Sequence, residues 1–307
     1  MKKIKKYQLI QDLLNQGLDY PKFTRRLASI RNSVDYSTLL EIVENFVKRS
    51  PIFKEYMFGT IFPNDSNALG GSRDFFLKPS SVESEISWIS LQIKYNKEKI
   101  QFFVSKKKMF EHLFLHGRYS EALNILENVR KELGVSIWYY ESKLLLYEYS
   151  NRTDDKFLLL SDINEKQGET HAGFVTSILH FISYRTARNL SAYKYDLDLQ
   201  NCFQRNRTDF QKSNCDYFLF KLNYFKHYNI DDFKTIFAFE NTNSLVDRYL
   251  TLIYLMQTMY IHGNNDEYIA NRALYLYSKT KDIMWIPLFA LVYPEPVSYT
   301  HLRAHET

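Results

Sequence analysis

Proline and glycine are scarce in this chain, with 7 Pro and 9 Gly among 307 residues. Pro21, Pro51, Pro63 and Pro79 lie in the first eighty residues, and the next proline is Pro287. Proline breaks helices, whereas β-sheet proteins need frequent turns that contain glycine or proline. The long interval without proline therefore argues against a β-sheet protein and favours a continuous helical array.

Cysteine is also scarce. Cys202 and Cys215 are the two cysteines of the chain, and neither a CxxC motif nor a cluster of histidines accompanies them. We interpret them as ordinary, partly buried thiols rather than as a disulfide or a zinc site. A reducing compartment fits this composition.

Long apolar runs are missing as well. The longest apolar stretches, residues 249–261 and 285–293, are too short to span a bilayer. The N-terminal segment MKKIKKYQLIQDLLNQ has basic residues but no unbroken apolar core of the kind found in signal peptides. We therefore expect a cytoplasmic protein that has no membrane partner.

The net charge of +5 is distributed unevenly. Residues 1–60 carry eleven Lys or Arg against six Asp or Glu, and the rest of the chain carries 29 of each sign. Lys22, Arg25, Arg26 and Arg31 are therefore candidate contacts for an acidic partner or a nucleic acid. The alternative is a solvated N-terminus with charges scattered along it.

Turn-forming residues divide the chain into regions. Residues 62–81 contain Pro63, Gly70, Gly71 and Pro79, which is typical of a long loop. We predict a basic helical N-terminal module at 1–60, a linker at 61–81 and an α-helical repeat array at 82–296.

Helical periodicity is clear inside the predicted array. Ala122, Leu126, Val129 and Leu133 recur at the spacing of one helix face, and Gly134 follows as a helix stop. Three further stripes predict core positions in the same way. Two lie on one helix and consist of Tyr140, Leu144 and Tyr147 and of Trp138, Leu145 and Tyr149. The third consists of Leu245, Tyr249, Leu252, Met256 and Met259.

Turn signals recur at a regular spacing. Five segments each combine the end of one apolar pattern with an acidic or polar start of the next, 34 to about 39 residues apart. Such periods are typical of helix-hairpin repeats, whose apolar faces are buried only by stacking. The segments are 115–123, 149–157, 187–195, 226–234 and 261–269.

One of these hairpins, MFEHLFLHGRYSEALNILENV, resembles a tetratricopeptide repeat. Gly117 and Tyr119 stand at the turn as in that family, Ala122 is the small residue where the two helices cross, and Leu126 is an apolar position of the second helix. The resemblance implies a tetratricopeptide-like superhelix that binds a protein or peptide on an extended concave surface.

The first helix of this hairpin departs from the family pattern. Lys106 stands where the family prefers tryptophan, and Phe110 stands where it prefers a small residue. The other four turns keep the length and the acidic helix start. The resemblance is therefore to the general architecture and not to one subfamily.

Catalytic motifs are not found in the sequence. There is no Gly-rich phosphate loop, no GxSxG elbow and no nucleophile signature around either cysteine. The ExK pattern at 141–143 falls inside a predicted helix, so we discount a nuclease site there. His112 and His116 form the best candidate metal pair, but a third ligand is not evident. We predict a non-enzymatic protein without cofactor or metal.

The last eleven residues, VSYTHLRAHET at 297–307, differ in character from the rest. One choice of codons for them gives the sequence of a transposase-type sequencing adapter. We expect a non-native tail and a reading frame that is cut short, and exclude these residues from fold reasoning. The alternative is a native tail with His301 and His305 at helical metal-pair spacing.

Three functional hypotheses remain open. The first is a protein- or peptide-binding scaffold whose concave face captures a partner. The second is a nucleic-acid-associated regulator that uses residues 1–60 to contact phosphates. The third is the sensor arm of an enzyme whose catalytic domain is missing. Fold class by itself does not decide among them.

Overall fold

The computed structural model describes residues 20–48, 51–70, 81–168, 174–205, 212–222, 228–263, 266–290 and 292–293. Throughout these ranges the regular structure is helical and no strand is present. The prediction of an all-α chain of stacked helical hairpins is thus confirmed. The segment 297–307 lies outside the described residues.

In the described part of residues 1–60, three helices precede the array. They are α1 (Tyr20–Arg31), α2 (Tyr36–Val47) and α3 (Pro51–Phe58). The array consists of α4 (Val82–Tyr95), α5 (Lys97–Leu115), α6 (Tyr119–Leu133), α7 (Ile137–Tyr149), α8 (Thr153–Gly168), α9 (Phe174–Arg185), α10 (Ala192–Arg205), α11 (Lys212–Lys221), α12 (Asp232–Glu240), α13 (Leu245–Ile261), α14 (Asp266–Thr280) and the short α15 (Ile286–Phe289).

In the described residues, each of the five predicted turn segments spans a boundary between consecutive helices, and residues 226–227 and 264–265 lie outside the described residues. The five segments join α5 to α6, α7 to α8, α9 to α10, α11 to α12 and α13 to α14. Three of them share a backbone conformation, because Gly117, Asn151 and Gly263 each adopt a positive φ just after a helix. This left-handed residue reverses the chain and lets the next helix begin within a few residues.

The core stripe of α6 is also confirmed. Ala122, Leu126, Val129 and Leu133 are buried, and Gly134 follows with φ 68° and ψ −152°. Few residues other than glycine adopt that conformation, so the helix ends there. Ser136 then begins α7 by accepting a hydrogen bond from the backbone N–H of Tyr139 at 3.0 Å.

The array closes on itself. In addition to contacts between neighbouring hairpins, α13 packs on α4 and α7, and α14 packs on α4 and α5. Helices separated by more than a hundred residues therefore bury one another in a common core. In an open solenoid each repeat contacts only its neighbours, and sequence periodicity does not predict this return of the C-terminal helices.

The N-terminal helices pack directly against this array. Lys94 on α4 donates from Nζ to Glu44 on α2 at 2.8 Å. The guanidinium carbon of Arg272 on α14 lies 4.4 Å from the ring centroid of Tyr36. The helices described within residues 1–60 thus share the core of the array.

The described part of the predicted linker crosses the array. The carbonyl of Pro63 accepts from the N–H of Val135 at 2.6 Å, and the carbonyl of Ile61 accepts from the N–H of Leu245 at 2.8 Å. Ser66 and Leu69 are buried. Residues 61–70 therefore tie the α6–α7 turn to the start of α13, whereas 71–80 lie outside the described residues.

Candidate functional site

The four predicted contacts for an acidic partner have different surroundings. Lys22 and Arg25 are exposed on α1, and Arg26 is half-buried. Arg31 faces the interior, where its guanidinium binds Glu85 of α4 and lies 4.3 Å from the ring of Trp88. Arg31 therefore belongs to an internal ion pair with Glu85. The prediction that Arg31 is a surface contact for an acidic partner is wrong.

The predicted repeat positions build the α5–α6 hairpin. Gly117 forms the turn, the ring of Tyr119 packs against Phe114 at 5.7 Å, and Ala122 and Leu126 are fully buried. These residues hold the two helices together, and none of them lines the cavity between α7, α11 and α13.

His112 and His116 have a structural explanation. Their rings lie 4.2 Å apart, and Nδ1 of His116 is 2.8 Å from the carbonyl of His112. His262 repeats this arrangement at the end of α13, with Nδ1 at 2.8 Å from the carbonyl of Thr258. Histidine in these turns thus caps the preceding helix. Across the part of the chain that the structure describes, no group of three or more His, Cys, Asp or Glu could hold a metal.

A cavity of about 170 Å³ opens between α7, α11 and α13. Three aromatic side chains and three ionisable groups meet there. Exposure separates a rim from a floor, since Trp138, Glu141, Leu250 and Tyr254 reach solvent whereas the others are largely buried. The floor consists of Ile137, Phe220, Lys221, Asp247 and Thr251.

Asp247 on the floor caps a distant helix. Its Oδ2 accepts from the N–H of Ile137 at 2.9 Å, and its Oδ1 accepts from the N–H of Trp138 at 3.0 Å. Helix N-termini carry unsatisfied N–H groups and partial positive charge, which favours a carboxylate. Burial nevertheless raises the pKa of Asp247 to about 6; Glu240 adds to the rise, whereas Lys221 opposes it.

Lys221 connects the floor to a buried glutamate. Its Nζ donates to Oε1 of Glu240 at 2.8 Å, and the hydroxyl of Tyr217 donates to Oε2 at 2.7 Å. Burial by itself lowers the pKa of Lys221, but the attraction of Glu240 and Asp247 outweighs it and the pKa is raised. Asn243 completes this group by donating from Nδ2 to Tyr217.

The polar network continues away from the cavity. Asn241 donates to Glu85 at 2.7 Å, and Glu85 also binds Arg31. The guanidinium of Arg248 donates to the carbonyls of Asn241 and Asn243 at 2.8–3.1 Å. Burial lowers the pKa of Arg248 to about 10. This half of the network joins α1, α4, α12 and α13.

Charges balance over the whole network but not among the side chains that line the cavity. Four cations, Arg31, Arg185, Lys221 and Arg248, match four carboxylates, Glu85, Glu141, Glu240 and Asp247. Two of the carboxylates, Glu141 and Asp247, line the cavity together with one of the cations, Lys221. A positively charged ligand in the cavity would therefore lie beside two carboxylates and one ammonium group.

No family model, curated protein or solved structure matches this chain. None of the helices in the described ranges combines the length and the apolar character needed to cross a bilayer. The residues of the cavity are thus assigned on geometry and chemistry.

Sequence reasoning missed the floor of the cavity. Asp247 and Arg248 are charged residues inside the apolar pattern of α13, and both are buried. Burial is unusual for charged side chains without partners. That position is the one signal in the sequence that could have drawn attention to them. Lys221 and Glu240 carry no local motif, and Glu141 stands out in the sequence only as part of the discounted ExK pattern at 141–143.

The raised pKa of Asp247 predicts a pH-dependent stability. The native state binds this proton more tightly than the unfolded chain, so the stabilising contribution is complete below about pH 4 and is lost as pH rises through about 6. As pH rises over this window, the wild type should lose at most about 3 kcal/mol of its free energy of unfolding relative to Asp247→Asn, which has no carboxyl group at this position. Urea unfolding of both proteins between pH 4 and 7 measures it, and parallel curves would contradict it.

Proposed function

We propose that this protein is a non-enzymatic protein- or peptide-binding scaffold of the cytoplasm, and that the cavity between α7, α11 and α13 receives a side chain of the partner. The observation that carries the proposal is the cavity itself, in which aromatic walls surround a few ionisable groups on rigid helices. Binding sites for side chains combine these features. The resemblance of the α5–α6 hairpin to a tetratricopeptide repeat supports the same function.

Closure of the array changes where the partner would bind. Because α13 and α14 pack onto α4, α5 and α7, much of the inner helical surface is buried in the core. The rim of the cavity, with Tyr254 at 44% exposure, stays accessible. We therefore place the anchor of the partner at this rim rather than along a continuous concave groove.

The proposal predicts a set of short peptides whose binding depends on the cavity. The full chain would be applied to an array of immobilised peptides, and affinities of the hits measured by fluorescence anisotropy. Tyr254→Ala removes a wall of the rim and should weaken binding by about tenfold or more. Tyr193→Ala is the matched control, because Tyr193 is 77% exposed on α10 and does not line the cavity.

Two outcomes would overturn this function. One is the lack of any peptide bound above background; the other is binding that Tyr254→Ala and Tyr193→Ala leave equally strong. Duplex DNA and single-stranded RNA belong in the same assay. Binding to them that falls steeply with salt and is lost in Arg25→Glu would instead support the alternative of a nucleic-acid-associated regulator.

A further inference from the structure

The cavity carries one carboxylate more than it has cations. Glu141 lies at the rim and Asp247 on the floor, and Lys221 on the floor pairs with buried Glu240. Arg185 binds Glu141 from outside the cavity, with Nη2 at 2.5 Å from Oε1. Glu141 and Asp247 therefore line the cavity beside a single cation, Lys221, which favours entry of a positively charged group.

The aromatic groups at the rim favour a cation independently. Trp138 and Tyr254 are its two aromatic members, and ring faces attract ammonium and guanidinium groups. The indole of Trp138 is held in place by edge contacts with Phe103 at 4.9 Å and Phe110 at 6.0 Å. Tyr254 is braced by Phe220, at 5.5 Å between ring centroids. The two rings are therefore ordered before a ligand arrives, which limits the entropy lost on binding.

The two nearby cations, Lys221 and Arg185, are held away from the rim. Lys221 is on the floor, where its ammonium group is held by Glu240. The guanidinium of Arg185 is anchored outside, since Nη1 donates to the carbonyl of Leu222 at 2.6 Å. A carboxylate has several lone pairs, so Glu141 can accept from a ligand while it keeps Arg185.

We propose that the rim formed by Trp138, Glu141 and Tyr254 binds a basic side chain, the ammonium of a lysine or the guanidinium of an arginine, in the bound peptide. This inference rests on the proposed peptide-binding function and specifies its chemistry. Glu141 supplies the carboxylate, and the two rings cover the aliphatic stem and the charge. The volume of the cavity, about 170 Å³, suits one side chain rather than a folded segment.

The test uses one peptide from the array in versions that differ at a single position, with lysine, arginine, norleucine or glutamate there. Lysine and arginine should bind about tenfold more tightly than norleucine, and glutamate most weakly. Glu141→Gln should weaken the lysine peptide about tenfold and leave the norleucine peptide unchanged. Glu121→Gln is the control, since Glu121 is exposed on α6 and pairs with Arg118.

The outcomes separate the two proposals. If no peptide binds, the peptide-binding function fails, and this inference fails with it. If peptides bind without preference for a basic side chain, or if the preference survives Glu141→Gln, the inference fails while the peptide-binding function stands. Loss of the preference in Glu121→Gln as well would show attraction to a diffuse acidic surface and would also overturn the assignment.

Discussion

Lys221→Met should lower the free energy of unfolding by about 3–5 kcal/mol, the cost of leaving a buried charge without its partner. Glu240 is fully buried, and Lys221 is the cation that donates to its Oε1 at 2.8 Å. Methionine preserves much of the aliphatic volume of lysine, so the loss reports the charge rather than a cavity. Urea unfolding followed by circular dichroism measures it.

A double-mutant cycle makes the cause of that loss explicit. Glu240→Gln removes the charge that Lys221 neutralises, so Lys221→Met with Glu240→Gln should recover more than half of the stability lost in Lys221→Met. Lys107→Met is the surface control, because Lys107 and Glu111 form an exposed i,i+4 pair that contributes at most about 0.5 kcal/mol. A cost for Lys221→Met no larger than this control would refute the pairing as a source of stability.

Gly134→Ala should destabilise the protein by about 2–4 kcal/mol. Its φ of 68° and ψ of −152° strain any residue with a Cβ, by about 1–3 kcal/mol. The added Cβ would also lie 2.1 Å from the carbonyl oxygen of Pro63. That oxygen would have to move, and the hydrogen bond it accepts from Val135, worth about 1 kcal/mol, would be lost.

Gly117→Ala is the matched comparison for this effect. Gly117 has a similar φ of 69°, but a Cβ there would meet nothing within 4 Å. Backbone strain alone should cost about 1–2 kcal/mol. Denaturant unfolding of both variants gives the difference, and hydrogen exchange at the Val135 amide should accelerate only in Gly134→Ala. Equal costs would show that the contact with residue 63 contributes nothing.

The residues of the candidate site could not be predicted from the sequence because they lie far apart in the chain. The proposed anchors Glu141 and Tyr254 come from helices that are far apart in the chain, and the floor joins Lys221 to Asp247 across a further helix. No spacing rule links such positions. Arg31 illustrates the converse, because composition marked it as a surface contact and packing against Trp88 turned it inward.

The sequence by itself determined the helices, the hairpin turns and the core stripe of α6. These features depend on local periodicity, on the scarcity of proline and on turn residues such as Gly117 and Gly134, all of which act within a few residues. Tertiary structure alone decided the closure of the array, the course of residues 61–70 and the cavity. Asp247 caps α7 across 110 residues of chain, and such a bond forms only when the packing of other helices has brought its two ends together.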